Sequence, residues 1–178
     1  MPAGGFSNPE RIIKELNLPE GTRVADFGSG SGYFTLLLAK AVGPEGLVTA
    51  VDVLPAPLEV IKTRAGDAGL FNIAYVRGNL EVLGGSQLTD DSQDLVLLAN
   101  ILFQSQKKAD IIRETKRVLK TDGELVVIDW TPQAVFGPAE AGWKLSKEEG
   151  QKLSEAAGFA LVREIAVSQN HWGLIFKK

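Results

Sequence analysis

The stretch Val24-Ala25-Asp26-Phe27-Gly28-Ser29-Gly30-Ser31-Gly32-Tyr33-Phe34-Thr35 decides how this chain is read. A short, strand-like run delivers the backbone into three alternate glycines, and a helical pattern opens directly behind them. Glycine there lets the chain turn sharply and lets a ligand approach main-chain atoms without Cβ interference. A helix start behind such a turn adds unpaired N–H groups and a positive dipole end, which suit a carboxylate as well as a phosphate. Glycine turns are also ordinary punctuation, so the reading needs a second feature. Asp52 supplies it, 24 positions after Gly28 and at the end of the run 47–51. An acid at the tip of the second strand of such a unit sits beside the first turn, where it can accept hydrogen bonds from both ribose hydroxyls. Turn and acid together read as a nucleoside site.

Working outward, the chain alternates. Asn8 and Pro9 read as the cap and first turn of a helix running to Leu16. A strand over 22–27, a helix from the glycine turn to about Ala41, a strand over 47–51, a helix over 57–68 and a strand over 73–77 follow. Residues 94–99 (DLVLLA) are apolar nearly throughout, as expected of a strand covered on both faces. Ser105 is the expected cap of a helix with Ile111, Ile112, Thr115, Val118 and Leu119 on one face. Thr121-Asp122-Gly123 should turn the chain into a strand over 124–129. Ser146 to Glu149 reads as a capping box for a helix stopped by Gly158. Strands over 160–167 and 172–177, joined by a tight polar turn, close the chain. This order predicts an α/β open sheet with parallel pairing, helices on both sides, and one antiparallel strand added by the final hairpin.

Composition narrows the function classes. The 178 residues are read as one domain, too short for a separate substrate domain. Nineteen Lys and Arg against 22 Asp and Glu give a net charge of -3, so holding nucleic acid by bulk charge is disfavoured. The absence of cysteine excludes disulfides, thiolate-ligated zinc, iron–sulfur clusters and a cysteine nucleophile. With a single histidine, His171, no histidine-rich metal site is expected. The N-terminus lacks a signal-peptide layout, and the longest apolar stretch, 95–103, is about half the length needed to span a bilayer. A cytoplasmic protein without membrane insertion is expected.

Spacing argues against two classes of nucleotide. A dinucleotide fingerprint would place its third glycine where Tyr33 stands, and no Tyr-x-x-x-Lys pair exists. The phosphate-cradling G-x-x-x-x-G-K-[ST] pattern is also absent. At this point the sequence resembles the class I S-adenosylmethionine-dependent methyltransferases, from about Pro19 to Lys178. Residues 26–32 match that family's D-x-G-x-G-x-G turn, and Asp52 matches its ribose-binding acid. Arg77-Gly78-Asn79-Leu80 matches the end of its third strand, and 94–103 its fourth strand and following loop. Residues 117–125 (RVLKTDGEL) resemble its R-V-L-K-P-G-G-x-L, and 156–159 its late A-G-F. The nearest look is the ubiquinone/menaquinone-biosynthesis-like group. The resemblance implies a Rossmann-like doubly wound sheet of about seven strands, with the last antiparallel. It implies S-adenosylmethionine as cofactor, with contacts from Asp26, Gly28, Ser29, Gly30, Gly32, Asp52, Val53, Asn79, Leu80 and Asn100. Asp26 and the glycine turn would hold the methionine end, Asp52 the ribose, and Asn79 and Leu80 the adenine.

Departures matter. Asn79 stands where the family usually has an acid; its amide oxygen can still accept from the adenine amino group, without charge assistance. Asn100-Ile101-Leu102-Phe103 replaces the Asn-Pro-Pro-Tyr associated with methylating exocyclic amines. Lack of cysteine removes RNA cytosine C5 methylation and the cysteine-ligated arsenite route. Two readings stay open at several positions. Asn79 is either a base contact or a turn residue, and Asn100 a substrate-side amide or a strand-end satisfier. His171 is a turn residue or a base. Trp130, Phe136 and Trp143 line a pocket or pack a lid. The cations between Lys107 and Lys120 form a solvated helix face. No catalytic acid or base is assigned and no metal is expected. A small-molecule acceptor is expected, against the alternatives of a protein or RNA acceptor or a non-catalytic cofactor-binding module. Beyond the sheet only a cap helix within 1–20 and a short loop over 131–145 remain. The donor site should therefore be open, completed by a bulky acceptor or by a second copy in a homodimer.

Overall fold

A computed structural model describes residues 8–134 and 144–178. The elements run α1 (Pro9–Leu16), β1 (Arg23–Phe27), α2 (Tyr33–Val42), β2 (Leu47–Asp52), α3 (Pro55–Asp67) and β3 (Ile73–Arg77). They continue with β4 (Gln93–Ala99), a 3₁₀ turn (Leu102–Gln104), α4 (Lys108–Val118), β5 (Leu119–Trp130), α5 (Lys147–Ala156), β6 (Ala160–Glu164) and β7 (His171–Lys177). Seven strands form one sheet in the order β3-β2-β1-β4-β5-β7-β6. β1 to β5 pair in parallel, and β7 runs antiparallel between β5 and β6. This is the expected doubly wound α/β sheet with its antiparallel last strand. Its order reverses between β1 and β4, which makes a crevice at their carboxyl ends.

Strand periodicity builds two cores. Val24, Leu95 and Leu97 pack with α1, α2 and α3, while their neighbours Ala25, Val96 and Leu98 pack with α4 and α5. Alternate residues face opposite sides of a strand, so a run apolar at every position fits only a sheet covered on both faces. The helix starts are local. Asn8 Oδ1 accepts from the Arg11 N–H at 2.9 Å, and the Ser146–Glu149 capping box is complete. Phe136 and Trp143, and with them most of the loop 131–145, lie outside the described residues.

Four local expectations are corrected. α3 starts at Pro55, with both its prolines in the first turn. Thr121-Asp122-Gly123 is a bulge inside β5, which begins at Leu119: pairing jumps from Gln93–Leu119 to Leu95–Glu124, and Asp122 takes φ 61°. Ser105 does not cap α4. Its hydroxyl donates to Glu81 Oε1 (2.6 Å) and accepts from the Lys107 N–H (2.8 Å), and it stands two residues before Lys107, the N-cap position. β6 stops at Glu164, and the buried Ile165 and Val167 follow it as core residues outside the strand.

The connection from β3 to β4 carries no helix. It is held instead by Glu114 of α4, which is fully buried and accepts from Gly84 N (2.7 Å), Ser86 N (3.0 Å), Ser86 Oγ (2.5 Å) and Arg117. Burial pushes this carboxyl up. The Arg117 and Ser86 hydrogen bonds outweigh it and bring the pKa down to about 2. Arg117, read in the sequence as part of a solvated helix face, is therefore largely a scaffold residue.

Candidate functional site

β1 runs into the glycine turn at the switch point. Gly28, Gly30 and Gly32 all have positive φ, and they divide into two kinds. A Cβ on Gly28 would lie 2.4 Å from Ile101 Cδ1, and one on Gly32 2.6 Å from Ile61 Cγ1, so these two are glycine because the walls close on them. A Cβ on Gly30 would meet nothing within 4 Å. The turn is pinned by Gly28 and Ser29 N–H groups donating to Val51 O and by Arg64 Nη1 donating to Ser31 O at 2.7 Å. α2 then begins with no side-chain cap and no acid in its first turn. Its start is thus left to whatever anion approaches.

Asp52 ends β2 with both carboxylate oxygens aimed by main-chain donors. Gly30 N–H donates to Oδ2 at 3.0 Å and Leu54 N–H to Oδ1 at 2.9 Å. A carboxylate offers about four acceptor positions, so each oxygen keeps one. Asp26, two residues before the turn, is buried and accepts from Thr35 Oγ1 at 2.5 Å. Burial raises its pKa to about 6, opposed by the Thr35 hydroxyl and helped by the Asp52 charge.

These elements enclose a cleft of about 520 Å³, within the usual range for a small-ligand site. Of the residues expected to contact a cofactor, Gly28, Gly30, Asp52, Val53, Asn79 and Leu80 line it together. Asp26, Ser29, Gly32 and Asn100 do not line it. Asp26, Gly32 and Ser29 lie within or behind the turn. Asn100 lies past β4 in the left-handed region, φ 57°. Two orphan atoms stand out here: Ser29 Oγ and Asn100 Oδ1 are buried without a hydrogen-bond partner. Asn79 Oδ1 accepts from the Glu81 N–H at 3.0 Å, so this amide builds a turn.

The sequence reading missed Leu54, Pro57, Glu81, Ile101, Gln104, Ser105 and Ile111, which also line the cleft. No motif marks them. Leu54 and Glu81 could have been taken from standing two residues after Asp52 and Asn79, whereas Ser105, ahead of α4, and Ile111, within it, arrive through packing alone. The 101–105 wall is held from β5. Asp129, fully buried, accepts from Phe103 N–H (3.1 Å) and Trp130 N–H (2.7 Å). Its pKa is raised to about 6 by burial, against the opposing pull of those N–H groups and Lys108.

His171 begins β7 opposite Trp130, with the two rings 4.0 Å apart, and shares a 2.9 Å hydrogen bond between Nδ1 and Ser168 Oγ. Burial lowers its pKa to about 4, so it is neutral at pH 7 and packed as part of the β5–β7 edge. A wider depression of about 870 Å³ lies beside it, bounded by 131–133, 164–172 and the start of α5.

The geometry is that of a nucleoside-binding α/β domain with an acid-bearing second strand. Residues 18–177 match the family described as a methyltransferase domain, and the chain belongs to it. It is 33% identical over 135 residues to the demethylmenaquinone methyltransferase of Listeria welshimeri, covering 76% of this chain and 54% of that one. It is 34% identical over 116 residues to the arsenite methyltransferase of Aquipseudomonas alcaligenes, covering 63% of this chain and 34% of that one. This chain thus spans about half, or less, of the length of these curated relatives. Among solved structures, a SAM dependent methyltransferase from Aquifex aeolicus superposes with a TM-score of 0.86 at 27% identity, over 97% of this chain and 89% of that one. The fold is the Rossmann-like fold of class I methyltransferases. Among the described residues no helix is long and apolar enough to cross a membrane.

Proposed function

We propose that the chain is an S-adenosylmethionine-dependent methyltransferase acting on a small-molecule acceptor in the cytoplasm. The observation that carries this reading is Asp52, a carboxylate at the switch-point cleft with both oxygens aligned by main-chain N–H groups and one acceptor position left on each. A ribose diol offers two neighbouring O–H donors, one for each oxygen. The open space beside Gly30 fits a ligand lying against the turn. Leu80, Ile101 and Ile111 offer apolar walls to a flat base.

Bound there, S-adenosylmethionine would supply a methyl group already activated by its sulfonium. The protein's part is alignment and exclusion of water, and no side chain is assigned as acid or base. Asp52 fixes the ribose, the uncapped start of α2 fixes the carboxylate, and Asp129 sets the wall over 101–105. A small-molecule acceptor is supported by the relatives named for demethylmenaquinone and arsenite, and by a net charge of -3. The test is mass spectrometry of the purified protein for co-purified cofactor, followed by methyl transfer to an acceptor library. Transfer to a small molecule is expected. Transfer confined to RNA or protein would overturn the acceptor class, and cofactor binding without any transfer would leave a binding module.

A further inference from the structure

Asp129 is held in two conflicting ways, and the conflict bears on the cleft. It lies one residue from the end of β5 and is fully buried. The 3₁₀ turn over Leu102–Gln104 has no side-chain cap of its own, so its first N–H groups need acceptors from elsewhere. Asp129 supplies them from β5. Its Oδ2 accepts from the Phe103 N–H at 3.1 Å, the Leu102 N–H also pulls on the carboxylate, and Oδ1 accepts from the Trp130 N–H at 2.7 Å. The turn so held brings Ile101, Gln104 and Ser105 into the cleft lining, with Ile101 lying against Gly28. An ionised carboxylate accepts at both oxygens, whereas a protonated one turns part of its edge into a donor and meets these N–H groups less well. The bonds therefore favour the charge, while burial opposes it and raises the pKa to about 6. At pH 7 the fold keeps a buried charge at a cost to its own stability, the pattern expected of a residue set by function.

Resting on the donor reading above, we propose that ionised Asp129 is a positioning residue for the donor: its charge holds the 101–105 wall in the form that grips the S-adenosyl group, so donor binding releases a proton and weakens in acid. A ligand that prefers the ionised form draws the proton off. Affinity is therefore full above the free protein's pKa and falls as pH drops through it. On the same face of the sheet, β7 sets Trp172 opposite Asp129, with the indole N–H donating to Leu145 O. From α4 comes Lys108, whose charge favours the carboxylate and whose ammonium donates to Ser105 O. From α5 comes Glu149, which acts on Lys108. His171, paired with Trp130, is on the sheet's other face and neutral at pH 7. Asp26, behind the glycine turn, has its own pKa raised to about 6 by burial, so the wild type alone does not isolate Asp129.

The test is calorimetric titration of the full chain with S-adenosylhomocysteine, comparing wild type with Asp129→Asn at about pH 5 and about pH 7.5, on either side of the titration. The amide keeps one acceptor oxygen and sets a donor against the remaining N–H, as the protonated acid does. Wild type should bind about fivefold or more tighter than Asp129→Asn at the higher pH, the scale of a one-unit shift in a single group. At the lower pH the two should come within about twofold, because the wild type has then become what the variant imitates. Thermal unfolding at both pH values establishes that each protein is folded. A second variant does not touch Asp129: Lys108→Gln removes the cation that favours its charge, and should raise the pH at which affinity falls. A merely structural Asp129 would move neither readout. The same wild-type-to-variant ratio at both pH values, or a fall in affinity at a pH indifferent to Lys108, overturns the assignment while the donor reading stands. A wild type that binds no S-adenosylhomocysteine at either pH overturns both.

Discussion

Glu114 and Asp52 are both carboxylates held by backbone N–H groups, and they mark two different kinds of region. Glu114 is fully buried and accepts from two main-chain N–H groups, one hydroxyl and two guanidinium nitrogens. Asp52 is half-buried at a cleft and accepts from two N–H groups only. The first has every acceptor position filled, so it can only hold structure together. The second is aligned but half-filled, which is what a ligand site requires. The comparison teaches that saturation, more than burial or charge, separates scaffold from site.

The sharpest way to break this contrast is to delete each acid and ask what is lost. Glu114→Ala strands Arg117 and the N–H groups of Gly84 and Ser86, and should lower unfolding stability by about 3–5 kcal/mol in denaturant titration. S-adenosylhomocysteine should still bind the fraction that stays folded. Asp52→Ala should reverse the pattern, costing about 1–3 kcal/mol of nucleoside affinity by calorimetry while the unfolding midpoint stays near wild type.

pH sharpens the comparison, because buried acids here shift in opposite directions. Glu114 has its pKa lowered to about 2, so its contribution to stability is present above 4.5 and lost as pH falls toward 2. Asp129 has its pKa raised to about 6, so its contribution is present below 3.8 and lost as pH rises through 6. Stability of Asp129→Asn relative to wild type should therefore rise by about 1–3 kcal/mol between pH 4 and pH 7, read from denaturant midpoints. A flat difference would show that Asp129 does not carry that titration.

The glycine turn should show effects no larger than these, with Gly30 the smallest. Gly28→Ala drives a Cβ into Ile101 in a left-handed backbone and should cost stability, on the order of 1–3 kcal/mol. Gly30→Ala meets no protein atom, so it should cost only about 1–2 kcal/mol of backbone strain, with nucleoside affinity falling besides. Equal affinities in the two variants would sink this division of labour.

Much of the fold was legible because its cues are local. Asn8, the Ser146 box and the fully apolar 94–99 run each state their element within a few residues. The position of Asp52 beside the glycine turn was legible because that spacing is set by one β-α-β unit. What escaped depends on partners far along the chain. Ser105 looked like a helix cap until Glu81 claimed its hydroxyl, and Arg117 looked like a surface cation until Glu114 and Asp90 claimed its guanidinium. The bulge at Asp122 looked like a turn because a positive-φ step inside a paired strand has the same residues as a loop. That Asn79 Oδ1 accepts from the Glu81 N–H was not legible either, since a polar residue just after a strand serves a turn or a ligand equally well.

One measurement bears most directly on the central claim that this cleft holds the S-adenosyl group. Wild type and Asp52→Ala are titrated by calorimetry with S-adenosylhomocysteine and, in parallel, with NAD. The account predicts that S-adenosylhomocysteine binds the wild type at one site per chain, that Asp52→Ala weakens it by about tenfold or more, and that NAD gives no heat above dilution. Tight NAD binding, or S-adenosylhomocysteine affinity indifferent to Asp52 in a folded variant, would contradict it.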